Sequence, residues 1–134
     1  MSIIIIVGWY SIKSKQPSVV NVNFNLLDNN IQNKLREYVN KNGYYIYQFK
    51  ENNTYKLLIY TNEKSQGPIS YTSPKFYLEE KNNDLVINLK NEYASSDEEC
   101  TQEALVIVTL KQKPINIQFF SDGKKVEYSI INSN

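Results

Sequence analysis

The densest group of chemically capable side chains in this 134-residue chain is Asp97-Glu98-Glu99. Carboxylates this close can hold a hard cation such as calcium through their oxygens. An EF-hand loop needs alternating ligands around a central glycine, and neither stands here. The run reads as a solvated loop. Glu79 and Glu80 form the next pair. In a strand, neighbours face opposite sides, whereas a glycosidase pair needs facing carboxylates about 5 to 9 Å apart. Cys100 is the one cysteine, and Glu98, Glu99 and Glu103 around it disfavour a reactive thiolate. It reads as an inert thiol.

Histidine is absent, which removes Ser-His, Cys-His and His-metal chemistry together. A single cysteine makes neither an internal disulfide nor a thiolate zinc site. No G-x-G-x-x-G or Walker pattern occurs, and Gly67-Pro68 has no phosphate-loop neighbours. Ser65, Ser70 and Ser73 have no lysine three residues on to replace a histidine base. Among the 11 tyrosines, six fall between Tyr38 and Tyr60. Aromatic rows on a sheet can stack bases or sugars, and Tyr45, Tyr47 and Tyr60 are the candidates. Lys50 and Lys56 are the only basic residues in that stretch of sheet, and cross-strand packing explains the same pattern without a ligand. With 15 basic and 14 acidic residues, the formal charge of +1 disfavours a strong polyanion binder, though it leaves room for a local patch.

The elements that position these residues are mostly strands. Ile3 to Ile12 opens the chain as an apolar strand too short to span a membrane. Val19 to Phe24 alternates like a half-buried strand. A helix is expected near 28–42, with Asp28 as N-cap and Gly43 as its stop. Ile31, Leu35, Tyr38 and Val39 share one face of it, which must dock on a sheet. Tyr44 to Lys50 and Thr54 to Thr61 read as a hairpin around Glu51, Asn52 and Asn53. In the first of these strands Tyr45, Tyr47 and Phe49 share one face, and Tyr44, Ile46 and Gln48 the other. Ile69 to Glu80 reads as extended, with Pro74 marking an edge or break. Leu85, Ile87 and Leu89 face one way after an Asn82-Asn83-Asp84 turn. Ala104 to Leu110 and Pro114 to Phe120 follow. Asp122-Gly123 turns the chain, and Val126, Tyr128 and Ile130 close the sheet. The sequon Asn52-Asn53-Thr54 reads as chance in an Asn-rich chain.

The expected architecture is one α+β domain over 1–134, mostly β. It has about eight or nine antiparallel strands in a sandwich or barrel-like sheet, with the helix covering one face or plugging one end.

The order of motifs resembles the C-terminal domain of the PrcB family, over roughly 31–120. The helix ends in Lys41-Asn42-Gly43-Tyr44-Tyr45, and an aromatic strand leads to Asn53-Thr54-Tyr55-Lys56-Leu57-Leu58-Ile59. Asn62-Glu63-Lys64-Ser65-Gln66-Gly67, Leu85-Val86-Ile87-Asn88-Leu89 and Ala104 to Leu110 complete the series. The chain departs from the family where Asn62 replaces a glycine before Glu63-Lys64, and where Ser65-Gln66-Gly67-Pro68 replaces Thr-Gly-Gly-Tyr. The late Thr-Tyr-Pro step is also missing, since Gln102-Glu103-Ala104 stands there. The resemblance implies an accessory, non-catalytic domain of a kind often exported. The chain as written, with no basic residue before its apolar start, reads instead as cytoplasmic, or as exported if a leader has been removed.

The expected function is a non-enzymatic protein-interaction or accessory domain. The contact residues would be Glu63, Lys64, Ser65, Gln66, Gly67 and Pro68 in one loop and Asp97, Glu98 and Glu99 in another, with a sheet edge near Pro74. The expected partner is another protein, with no nucleic acid, membrane span, metal or cofactor. The alternative is a small-ligand or glycan-binding module built on Tyr45, Tyr47 and Tyr60. Exposed rings favour that alternative, and buried rings favour packing.

Overall fold

The computed structural model describes residues 17–63, 74–91 and 103–131. The described elements run β1 (Ser18–Asn21), a 3-10 turn (Phe24–Leu26), α1 (Asn29–Leu35), β2 (Gly43–Glu51), β3 (Thr54–Asn62), β4 (Lys75–Lys81), β5 (Asp84–Lys90), β6 (Glu103–Leu110), β7 (Asn116–Ser121), β8 (Lys124–Val126) and β9 (Ser129–Ile130). The fold is mostly β, as expected. The expected strand over Ile3 to Ile12 lies outside the described residues.

Two open sheets pack face to face. One has the order β1-β6-β3-β2-β9 and the other β4-β5-β7-β8. Alternation decides what each strand buries. In β3, Leu57 and Ile59 face the second sheet, and in β5 Leu85, Ile87 and Leu89 face the first. Val106, Val108, Ile46, Leu78 and Phe119 complete this core between the sheets. Full burial of one such side chain stabilises the fold by about 1.5–3 kcal/mol. The opposite face of the first sheet carries Tyr45, Tyr47, Leu58 and Tyr60, and α1 covers it with Leu35, helped by Ile131. The helix therefore covers a face and plugs no end.

Two pairings correct the all-antiparallel expectation: β5 with β7 and β2 with β9 are parallel. The chain leaves the second sheet after β5, runs through β6 in the first, and returns as β7. That detour reverses direction twice, so β7 lies parallel to β5. The final residues behave similarly. Val126 and Tyr128 pack on the core between the sheets, whereas Ile130 is exposed in β9 and Ile131 is buried beside the helix.

The turns follow residue chemistry. Asn52 and Asn53 both take positive φ (52° and 62°), as do Asp122 and Gly123 (48° and 83°). Two successive left-handed residues match the twist of a two-residue hairpin. The helix is shorter than expected. It ends at Leu35, and tightened turns such as Tyr38 N–H to Leu35 O lead to Asn40, which takes the left-handed φ of 73°. Gly43 instead opens β2, at φ 145°. A Cβ there would lie 2.9 Å from the Tyr45 hydroxyl. Asp28 stands at the N-cap without a side-chain capping bond, while Gln32 Nε2 reaches back to Leu27 O at 2.8 Å. The half-buried strand expected over Val19 to Phe24 is a short exposed strand, at the sheet edge among the described residues, that gives way to a 3-10 turn, which Asn23 caps. Among the described residues, no helix is long and apolar enough to cross a membrane.

Candidate functional site

Four strand ends meet at one end of the sandwich. β3 ends at Asn62 and β5 at Lys90, while β4 and β6 begin at Lys75 and Glu103. Pairing holds them together: Asn62 opposes Glu103, and Lys75 opposes Lys90. Segments 64–73 and 92–102 connect these ends.

A polar latch ties the two sheets here. Glu63 follows β3, and Asn91 follows β5. Asn91 Nδ2 donates to Glu63 Oε1 at 2.8 Å and to Asp122 Oδ2 at 3.0 Å. The Asn91 backbone N–H donates to Asp122 Oδ1 at 3.0 Å. Ser121 Oγ donates to Glu63 Oε2 at 2.9 Å, and the Tyr44 hydroxyl donates to that same oxygen. Asn91 and Ser121 are buried, so these bonds replace water that burial removes. Bonds to a carboxylate are worth about 1.5–3 kcal/mol each, more than neutral ones. The latch thus joins β2, β3, β5 and β7 at the roots of both segments.

The two carboxylates converge on the Asn91 amide, whose two N–H groups they divide. A donor fills the space between them, and each Glu63 oxygen already accepts a bond. This arrangement suits positioning more than proton transfer. Ser121 and Lys124 have a Ser-x-x-Lys spacing, and the hairpin makes them cross-strand partners. Lys124 is exposed and the Ser121 hydroxyl is committed to Glu63, an arrangement unlike an activated nucleophile. Among the described residues, no group of three or more His, Cys, Asp or Glu side chains is placed to hold a metal.

Burial first, and then the bond to Glu63, push the Tyr44 hydroxyl well above the ordinary tyrosine value. Burial raises Tyr60 as well. An unfolded tyrosine ionises near pH 10. The stability linked to these protons is complete below that pH. Above it the unfolded chain releases protons that the folded one keeps, and stability falls. Denaturant titrations between pH 9 and 12 should show this fall, and Tyr44→Phe should make it shallower. Beside the latch on the same face of β3, the fully buried Thr61 hydroxyl has no hydrogen-bond partner among the described residues. Thr61→Val should therefore raise unfolding stability by about 1 kcal/mol, read from a urea midpoint.

Of the sequence-derived contact residues, Glu63 belongs to the latch. Lys64, Ser65, Gln66, Gly67, Pro68, Asp97, Glu98, Glu99 and Cys100 lie outside the described residues. Tyr45, Tyr47 and Tyr60 do not form an exposed row; they are 8%, 7% and 3% exposed beneath α1. Tyr45 stacks on Tyr60 with centroids 5.9 Å apart, and Tyr47 on Phe49 at 5.7 Å. Their hydroxyl bonds are internal too: Tyr45 donates to Asn42 O, and Tyr60 accepts from Asn40 N–H. These rings are core, which removes the support for a stacking site there. Glu79 is exposed beside Lys81, while Glu80 turns to accept the Lys111 N–H. Pro74 precedes β4, which among the described residues is a sheet edge carrying the half-exposed Tyr77.

Tyr44, Asn91, Ser121 and Asp122 have no sequence signal as a group, because Asn91 and Ser121 stand 28 and 58 residues from Glu63. Comparison with known proteins finds no matching family model, curated protein or solved structure.

Proposed function

We propose that this chain is a non-catalytic interaction or accessory domain, which recognises a protein partner through segments 64–73 and 92–102. One observation carries this reading. The residues at which the two segments leave the sandwich, Glu63 and Asn91, are hydrogen-bonded to one another at 2.8 Å and pinned by Asp122 and Ser121. Recognition segments anchored on a rigid scaffold lose less freedom on binding than freely hung ones. The composition supports the same reading, because histidine is absent and a single cysteine sits among acids. The PrcB-like order of motifs points to an accessory role from the sequence side. The edge of β4 offers backbone groups beside the same end and is the secondary contact.

Photo-crosslinking tests the proposal. A photoreactive residue is placed at Gln66, at Glu98, or at the control position Gln118 on the outer face of β7. The expected result is one discrete adduct in native cells from the first two positions, competed by unlabelled protein and absent from the third. Equal adducts from all three positions, or none, would overturn it.

A further inference from the structure

We infer that the far end of the sandwich holds a second, separate site that binds a small amphiphilic anion, an acidic head group carried on a flat apolar body. The site is a cleft of about 200 Å³ beyond the start of β3. Tyr55 in its floor stands eight residues from Glu63, roughly 26 Å of strand away from the latch.

The strand pattern itself sets this end apart. Tyr44 and Ile46 of β2 face the core between the sheets, and alternation places Gln48 and Lys50 on that same face. Polar residues at core-facing positions are unfavourable unless they serve a purpose. Here they escape burial, since Gln48 is half-buried and Lys50 is exposed at the mouth. Lys50, Tyr55 and Leu110 are successive cross-strand partners on β2, β3 and β6, so they form one row. Leu110 is buried and Tyr55 packs on the core, which gives the row an apolar floor. Pro114 and Lys113, from the β6–β7 connection, supply the opposite wall.

Charge decides the ligand's sign. Of the eight residues lining the cleft, three are lysines and none is acidic. Lys56 is drawn toward Glu51, its Nζ 4.0 Å from that carboxylate on the helix side of the sheet. Lys50 and Lys113 remain to meet an anion, and Lys50 Nζ already sits 5.1 Å from the Tyr55 ring centroid. The nearby carboxylate of Glu80 accepts the Lys111 N–H. Size decides the rest. Drug-sized ligands occupy about 300–1,000 Å³, so this cleft suits a single ring with its head group. The ring would lie against Tyr55, Leu110 and Pro114, the head group between Lys50 and Lys113, with Gln48 as the neutral hydrogen-bonding partner.

The test is a titration of the whole chain followed through backbone amide resonances, with phenyl phosphate, inorganic phosphate and phenol as separate probes. Phenyl phosphate should give saturable shifts centred on Lys50, Tyr55 and Lys113. It should bind at least tenfold more tightly than either half alone, and more weakly as salt rises. The double variant Lys50→Gln/Lys113→Gln should weaken binding at least tenfold with the remaining spectrum unchanged. Tyr55→Leu should weaken phenyl phosphate but leave inorganic phosphate as it was. Equal binding of phenol would overturn the inference, as would unsaturable shifts spread over Lys90, Lys124 and Lys125. Unchanged affinity in the lysine double variant would overturn it too.

Discussion

Phe119→Ala is expected to lower the stability of the fold by about 4 kcal/mol. Phe119 is fully buried in β7, at the centre of the core between the two sheets. Its ring lies against Tyr44 of the first sheet at 5.1 Å and Tyr128 of the β8–β9 connection at 6.5 Å between centroids, so truncation removes contacts with both. The neighbouring strands are fixed by their ladders and fill the void only in part, which adds a cavity cost to the lost transfer energy. A domain of this size has a total stability of roughly 5–15 kcal/mol. The variant should therefore unfold at a much lower urea concentration with little change in the slope of the transition. A loss under 1 kcal/mol would mean that the two sheets do not close on this ring.

Asn91→Asp is expected to cost about 3 kcal/mol near pH 7, although it changes one atom group and little volume. The side-chain amide donates to Glu63 and to Asp122. The substitution deletes both bonds and leaves a third carboxylate among two others, and like charges in a buried site repel strongly. Asp122 is exposed, so solvent screening tempers the repulsion on that side. The new carboxyl gains a folded-state pKa above its unfolded value, because the fold disfavours its charged form. Its penalty is therefore present above that folded value and shrinks as pH falls through it. Thermal melts between pH 4 and 8 should show the variant approaching the wild type at the acid end. A constant difference across that range would show that the carboxylates do not share this amide.

The legible and illegible parts of the molecule separate by the range of the interactions behind them. Asn52-Asn53 and Asp122-Gly123 announce their hairpins because left-handed backbone is a local demand that few residue types meet. Leu85, Ile87 and Leu89 announce a buried face because alternation is also local. The helix end is a near miss. Gly43 and Asn40 both suit positive φ, and the choice of Asn40 depends on how Tyr38 and Val39 pack against the sheet. Tyr45 and Tyr47 share a face as expected, yet alternation alone does not say that the face lies under α1 and away from water. The parallel pairs β5–β7 and β2–β9, and the latch around Glu63, arise from contacts between distant parts of the chain. No pattern within one segment encodes them.

Recognition through the two latched segments is tested most directly by the affinity of the crosslinked partner, titrated against three forms of the whole chain. They are the wild type, a variant with Asp97, Glu98 and Glu99 each replaced by Lys, and the Lys50→Gln/Lys113→Gln variant. At least a tenfold loss is expected for the first variant and no change for the second, because only the first alters a segment that leaves the sandwich at the latch. Unchanged binding by the charge-reversed form, or an equal loss in both, would contradict it.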